Sequence, residues 1–148
     1  MSDSIIREIN LKAPIERVWD ALTDYRQFGA WFRVALEGPF VVGEITSGRI
    51  THAGYEHVVW QVRTVAIERP RRFAFTWHPH GIDPAVDYSS EEPTLVEFRL
   101  EPRREGTHLA ICESGFDRIP VHRRDEALRM NGKGWTAQVE NIRAHVGG

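Results

Sequence analysis

The sequence predicts an α+β fold: an antiparallel meander of strands, preceded by two short helices and closed by one long C-terminal helix. Three separated stretches carry that expectation. APIERVWDALTDYRQFGAWF (13–32) opens at a proline and places apolar residues at helical spacing. ERPRRFAFTW (68–77) sets an aromatic residue at every second position of a short run. GWTAQVENIRAHV (134–146) is the end of a long helix with one apolar side.

Residues 5–11 (IIREINL) form the first strand. Pro14 then stands where a fixed φ presets the first helical turn, and Ile15, Val18, Trp19 and Leu22 follow as one apolar stripe. Asp24 is an N-cap for a second helix, because its carboxylate accepts the free amide hydrogens two or three residues on. That helix presents Phe28, Trp31 and Phe32. Strands are expected over 34–36, 44–51, 57–68, 72–78, 94–101 and 107–115, each bounded by Gly, Pro or charged turn residues. Alternation assigns Phe73, Phe75 and Trp77 to one face, then Val96, Phe98 and Leu100, then Leu109 and Ile111. Arg104-Glu105-Gly106 makes the tight turn between the last two strands, and short links favour an antiparallel meander over βαβ units. Pro120 opens the final helix, which runs to about residue 145. Ala127, Leu128, Trp135, Val139, Ile142 and Val146 share a side, while Gly132 and Gly134 either break the helix or thin it against the sheet.

A length of 148 residues fits one domain, 1–148, able to bury a sizeable core. Net charge is −2 with both signs interspersed, so no electrostatic footprint for nucleic acid is present, and the Arg71-Arg72, Arg103-Arg104 and Arg123-Arg124 pairs read as solvated surface. Cys112 is the only cysteine, which excludes an internal disulfide and a cysteine-held cluster. Residues 1–3 are polar and no window approaches the ~20 apolar residues of a membrane span, so a cytoplasmic location is expected, with no membrane partner. There is no GxGxxG fingerprint, and no cofactor is expected.

The words PIERVWDALTD (14–24), WF (31–32), PRRFAFTW (70–77), ESGF (113–116) and GW (134–135) together resemble the bacterial homologues of the activator of the heat-shock-protein-90 ATPase, within the START-like (SRPBCC) superfamily. The resemblance runs from Ile5 to Val146. It implies a helix-grip (START-like, Bet v-like) fold: a curved antiparallel sheet of six to seven strands around the long C-terminal helix, with an apolar cavity between them. The superfamily includes lipid carriers, hormone receptors, polyketide cyclases and aromatase-like enzymes, so fold analogy alone does not choose a chemistry. The family's name adds a chaperone partner and a place in the stress response to the roles to be weighed.

Glu113 is the leading candidate for a polar site. It continues the parity of Leu109 and Ile111, so a regular strand aims it inward, where a carboxylate must be paired, hydrated or protonated. A twisted strand end would instead leave it at the rim beside an arginine. Trp31, Phe75, Trp77, Phe98, Trp135 and Val139 are core residues by spacing. Trp77 and Trp135 border the expected cavity, where their N–H groups would need partners. Tyr55, Tyr88 and a nearby histidine are candidates to orient a ligand. The long 78–93 connection, with Pro79 and Pro84, is a lid or a solvated loop; His78 and His80 with an aspartate could offer metal ligands, though no third ligand is fixed. His52 and His57 flank a turn, either near the cavity mouth or simply solvated. Cys112 has the outward parity.

Three functions fit these residues. The first is a cytoplasmic protein that binds a small hydrophobic or aromatic molecule between sheet and helix. The second is a cyclase- or hydrolase-type enzyme using Glu113 or a histidine as acid/base. The third is a co-chaperone-like module or homodimer, which calls for an exposed apolar patch.

Overall fold

A computed structural model describes residues 4–83 and 85–148; Pro84 and the polar 1–3 stretch lie outside the described residues. The elements follow in the order β1 (Ser4–Leu11), α1 (Ile15–Thr23), α2 (Tyr25–Phe32), β2 (Val34–Leu36), β3 (Ile45–Ile50), β4 (Val59–Glu68), β5 (Arg72–Trp77), β6 (Thr94–Arg103), β7 (Gly106–Ser114) and α3 (Val121–Val146). All seven strands join one antiparallel sheet in the order β1-β7-β6-β5-β4-β3-β2, so the first strand pairs with the last. This is the helix-grip arrangement.

Prolines mark both expected helix starts, one residue outside the helix. Pro14 and Pro120 have extended ψ values of 158° and 137° and serve as the capping residues of α1 and α3. Asp24 caps α2 as expected, its carboxylate accepting from the Arg26 amide at 3.0 Å. α3 is continuous through Gly132 and Gly134, and beyond its own turn of helix no atom lies within 4 Å of where a Cβ on Gly134 would stand. Among the described residues no helix is long and apolar enough to cross a membrane.

The core lies between the sheet and the three helices. Phe73, Phe75, Val96, Phe98, Leu109 and Ile111 are fully buried on the inner face, as their alternation requires. The α1–α2 pair leans over this face and is tied to α3 by three bonds: Gln138 donates to the Phe32 carbonyl at 3.1 Å, Arg17 to the His145 carbonyl at 2.8 Å, and the His145 ring meets Gln27 Oε1 at 3.3 Å. At the β6–β7 turn Gly106 has φ 152°, and a Cβ there would stand 1.9 Å from the Leu11 carbonyl oxygen. Backbone cannot yield to that clash as a side chain can. Gly106→Ala is therefore expected to cost about 2–3 kcal/mol, read as a lower midpoint in denaturant unfolding with an unchanged slope.

Candidate functional site

β7 carries Glu113 on the inner face beside Ile5 of β1 and Val96 of β6, its partners in register. The side chain is 0% exposed. Four groups donate to it. Trp77 Nε1 and Thr94 Oγ1 both reach Oε2 at 2.6 Å. Trp135 Nε1 reaches Oε1 at 2.9 Å, and the Asn131 amide spans both oxygens at 2.9 and 3.2 Å. Two donors come from strand ends (Trp77 closes β5, Thr94 opens β6) and two from consecutive turns of α3. Glu113 thus ties the sheet to the gripping helix. The arginine-paired rim position is corrected: alternation holds to the end of the strand, and all four partners are neutral donors.

The carboxylate sits at one end of an aromatic cluster. Trp77 and Trp135 stack with ring centroids 5.7 Å apart, Phe98 meets Trp135 edge-on at 5.9 Å, and Phe32 lies 6.2 Å from Trp135. Phe28 and Phe32 of α2 stack at 4.9 Å, and Phe32 and Phe75 each pack on Trp60, at 5.3 and 5.9 Å. Rings from α2 therefore occupy the space between sheet and α3. Two surface grooves lie elsewhere, one beside β1 and α3 and one beside α2 and β2. Trp60 is buried in the cluster, and its Nε1 has no hydrogen-bond partner in the structure.

Of the residues singled out above, the structure brings Phe75, Trp77, Phe98, Glu113 and Trp135 together. Trp31 is buried in the adjoining cluster with its indole donating to the Ala21 carbonyl at 2.8 Å, and Val139 packs half-buried at the edge of the core. Tyr55 does not join them. It sits exposed in the 51–58 turn beside His52, and both His52 and His57 are exposed, because that turn projects away from the sheet. Tyr88 does not join either: it belongs to a short turn, Tyr88–Ser90, with its hydroxyl accepting from the Asp83 amide at 3.1 Å.

Thr94 and Asn131 were missed. Thr94 continues the parity of Val96 and Phe98 by one more step, and Asn131 lies one helical turn before Trp135, so both signals were present in the spacing. Arg123 is also corrected from solvated surface. Its side chain is 12% exposed, grips Glu91 through Nη2 at 2.5 Å, donates to the Pro79 carbonyl at 2.8 Å and stacks on the Tyr88 ring at 4.8 Å. The 78–93 connection is thereby fastened to α3. His78 and His80 do not gather ligands: His80 meets Glu126 at 3.3 Å, and among the described residues no group of three His, Cys, Asp or Glu side chains is placed to hold a metal ion.

Burial lowers the pKa of His78 below the ordinary imidazole value; the nearby Glu91 opposes this and Arg123 adds to it. Burial, reinforced by Arg17, lowers His145 in the same way. The unfolded chain binds protons at these rings more readily than the folded one. The stability that the neutral rings contribute is therefore present above about pH 6.5 and is lost as pH falls below it. The urea midpoint is expected to fall between about pH 7.5 and pH 5.5, and His78→Asn to narrow that difference.

The fold agrees with what the chain resembles. The family described as activator of Hsp90 ATPase homolog 1-like protein matches residues 12–147. A comparison with curated proteins returns no match. Among solved structures, protein MLL2253 from Mesorhizobium loti superposes with a TM-score of 0.75 at 24% identity, over 96% of this chain and 95% of that one. DynU16, from the dynemicin biosynthetic locus, gives a TM-score of 0.75 at 22% identity over 98% of this chain. This chain spans 47% of DynU16. CalU16 from Micromonospora echinospora gives 0.66 at 22% identity, over 94% of this chain and 71% of that one. At these identities the likeness is one of fold.

Proposed function

The chain belongs to the activator of Hsp90 ATPase homolog 1-like family, and from that premise we propose that it binds a small apolar or aromatic molecule in the interior around Glu113. The observation that carries this reading is the carboxylate itself. A fully buried acid held by four neutral donors is an expensive way to stabilise a core, since well-packed apolar side chains would do as well or better. Surrounded by stacked indoles and phenyl rings, it has the composition of a ligand site: mostly aromatic walls and a few convergent polar groups. Phe32 of α2 covers the site, packed on Trp60, Trp77 and Trp135. A ligand enters by displacing Phe32 and the half-buried Trp77 and Asn131, and one of its own polar groups then takes the place of a lost donor. Each of Glu113's oxygens already accepts at least two bonds, which favours an anchoring role over that of a general base. In this reading the protein acts in the cytoplasm.

A thermal-shift panel of fatty acids, aromatic acids, phenols and steroids tests the proposal. For a chain of this size each kcal/mol of binding raises the melting temperature by about 2–4 °C. A rise confined to one chemical class and reduced by Glu113→Gln supports the site. No rise with any class, or one indifferent to Glu113→Gln, rejects it.

One observation bears on a second reading. The outer face of β3 and β4 exposes Ile45, Val59, Val65 and Ile67, interleaved with Gln61, Arg63 and Arg49, a mixed apolar and basic face that a chaperone partner could cover. Stimulation of a chaperone ATPase that is abolished by Val59→Lys with Val65→Lys would support it; a monomer with no such effect would remove it.

A further inference from the structure

A groove of about 420 Å³ runs between β1 and the middle of α3, lined by Ile5, Ile6, Arg7, Leu128, Arg129 and Lys133 among others. Arg7 stands at an inward position of its strand. Its alternating neighbours Ile5, Ile9 and Leu11 are buried and apolar, and it lies opposite Ile111. The guanidinium is held in place without any carboxylate: Nη2 donates to the Gly132 carbonyl at 2.9 Å, Nε to Thr136 Oγ1 at 3.1 Å and Nη1 to the Ile6 carbonyl at 2.9 Å. Those bonds leave one N–H on each terminal nitrogen of the fork. Arg129 and Lys133 are four residues apart on α3, hence neighbours on one helix face, and both are exposed. Among the described residues, none of the three cations has an ion-pair partner. Glu8, the nearest acid along β1, has the opposite parity and meets His108 at 3.0 Å.

Three positive charges without an ion-pair partner within 4 Å line one groove of a chain of net charge −2, with the exposed Asp125 one helical turn before Arg129. The apolar flank is formed by Ile5 and the half-buried Leu128. We propose that this groove is a binding site for a free anionic amphiphile: an organic carboxylate or phosphate monoester on a short alkyl or aryl tail. Arg7 supplies a preset fork for two oxygens, Arg129 and Lys133 add charge, and Ile5 and Leu128 take the tail. A concave groove on a chain with negative net charge suits a free molecule better than an anionic membrane surface. This site is separate from the interior around Glu113 and does not depend on it.

Titration of the full chain with octanoate, octyl phosphate, octanol and inorganic phosphate, followed by amide and indole resonances, tests the proposal. Octanoate and octyl phosphate are expected to shift the amides of Ile6, Arg7, Gly132 and Lys133 saturably, with octanol and inorganic phosphate binding at least about tenfold more weakly. The exposed pair Arg129→Gln with Lys133→Gln, which removes no internal bond, is expected to weaken octanoate by about tenfold at low salt. Octanol binding as tightly as octanoate, inorganic phosphate binding as tightly as octyl phosphate, or indifference to the double substitution overturns it. So do the absence of binding, shifts confined to the Trp77 and Trp135 indoles, and binding to anionic vesicles alone.

Discussion

Glu113→Ala is expected to lower the unfolding free energy by about 3–5 kcal/mol, because several buried and half-buried donors lose their acceptor at once. The substitution removes no ion pair. It takes the shared acceptor from the indole N–H groups of Trp77 and Trp135, the Thr94 hydroxyl and the Asn131 amide, of which Thr94 and Trp135 are buried and Trp77 and Asn131 half-buried. It also uncouples β5 and β6 from α3, because those donors come from both layers. Glu113→Gln separates the two contributions. Its carbonyl keeps one acceptor in place, while its amide faces groups that can only donate or must rotate, so the expected loss is smaller, about 1–3 kcal/mol. Chemical denaturation of the three proteins at neutral pH gives the order wild type, Gln, Ala. An Ala variant as stable as wild type would show that the four bonds contribute nothing net.

Trp135→Ala is expected to cost a similar amount, about 3–5 kcal/mol, for a different reason. The indole is 2% exposed and its rings contact Phe32, Trp77 and Phe98, so truncation opens a cavity that aromatic neighbours fill only partly. Trp135→Phe keeps most of the volume and loses the bond to Oε1, and should fall between. Combined with Glu113→Gln, Trp135→Phe is expected to destabilise by less than the sum of the two single losses, because both act on one bond. Strict additivity would mean that the carboxylate and the indole are energetically independent despite their 2.9 Å separation.

Strand periodicity explains why so much of this site could be located before any coordinates. In a strand the side-chain period is two, so a run such as Phe73, Phe75, Trp77 commits its face, and Leu109, Ile111 commits Glu113 two residues further on. The helix period does the same for Trp135. Where strand or helix periodicity was followed one step further, it would have found Thr94 and Asn131 as well. The loops offered no such rule. Tyr55 and Tyr88 are aromatic and lie close in sequence to the sheet, but a loop residue's position depends on the path of the chain, and here one turn projects outward while the other is fastened by Arg123. The filling of the interior by Phe28 and Phe32 was likewise illegible. Their apolar stripe predicts burial, and only the angle at which α2 meets the sheet decides whether they line a cavity or occupy it.

The most direct test is an indole-resolved NMR titration. The five tryptophans give five Nε1–H signals, of which those of Trp77 and Trp135 report bonds to Glu113 and that of Trp60 reports a buried N–H without a partner. With a ligand from the class selected by the thermal-shift panel, the signals of Trp77 and Trp135 are expected to move together and saturably, and Glu113→Gln to weaken that response. Movement of neither signal under conditions where the ligand is bound would place the ligand elsewhere and contradict a binding site centred on Glu113.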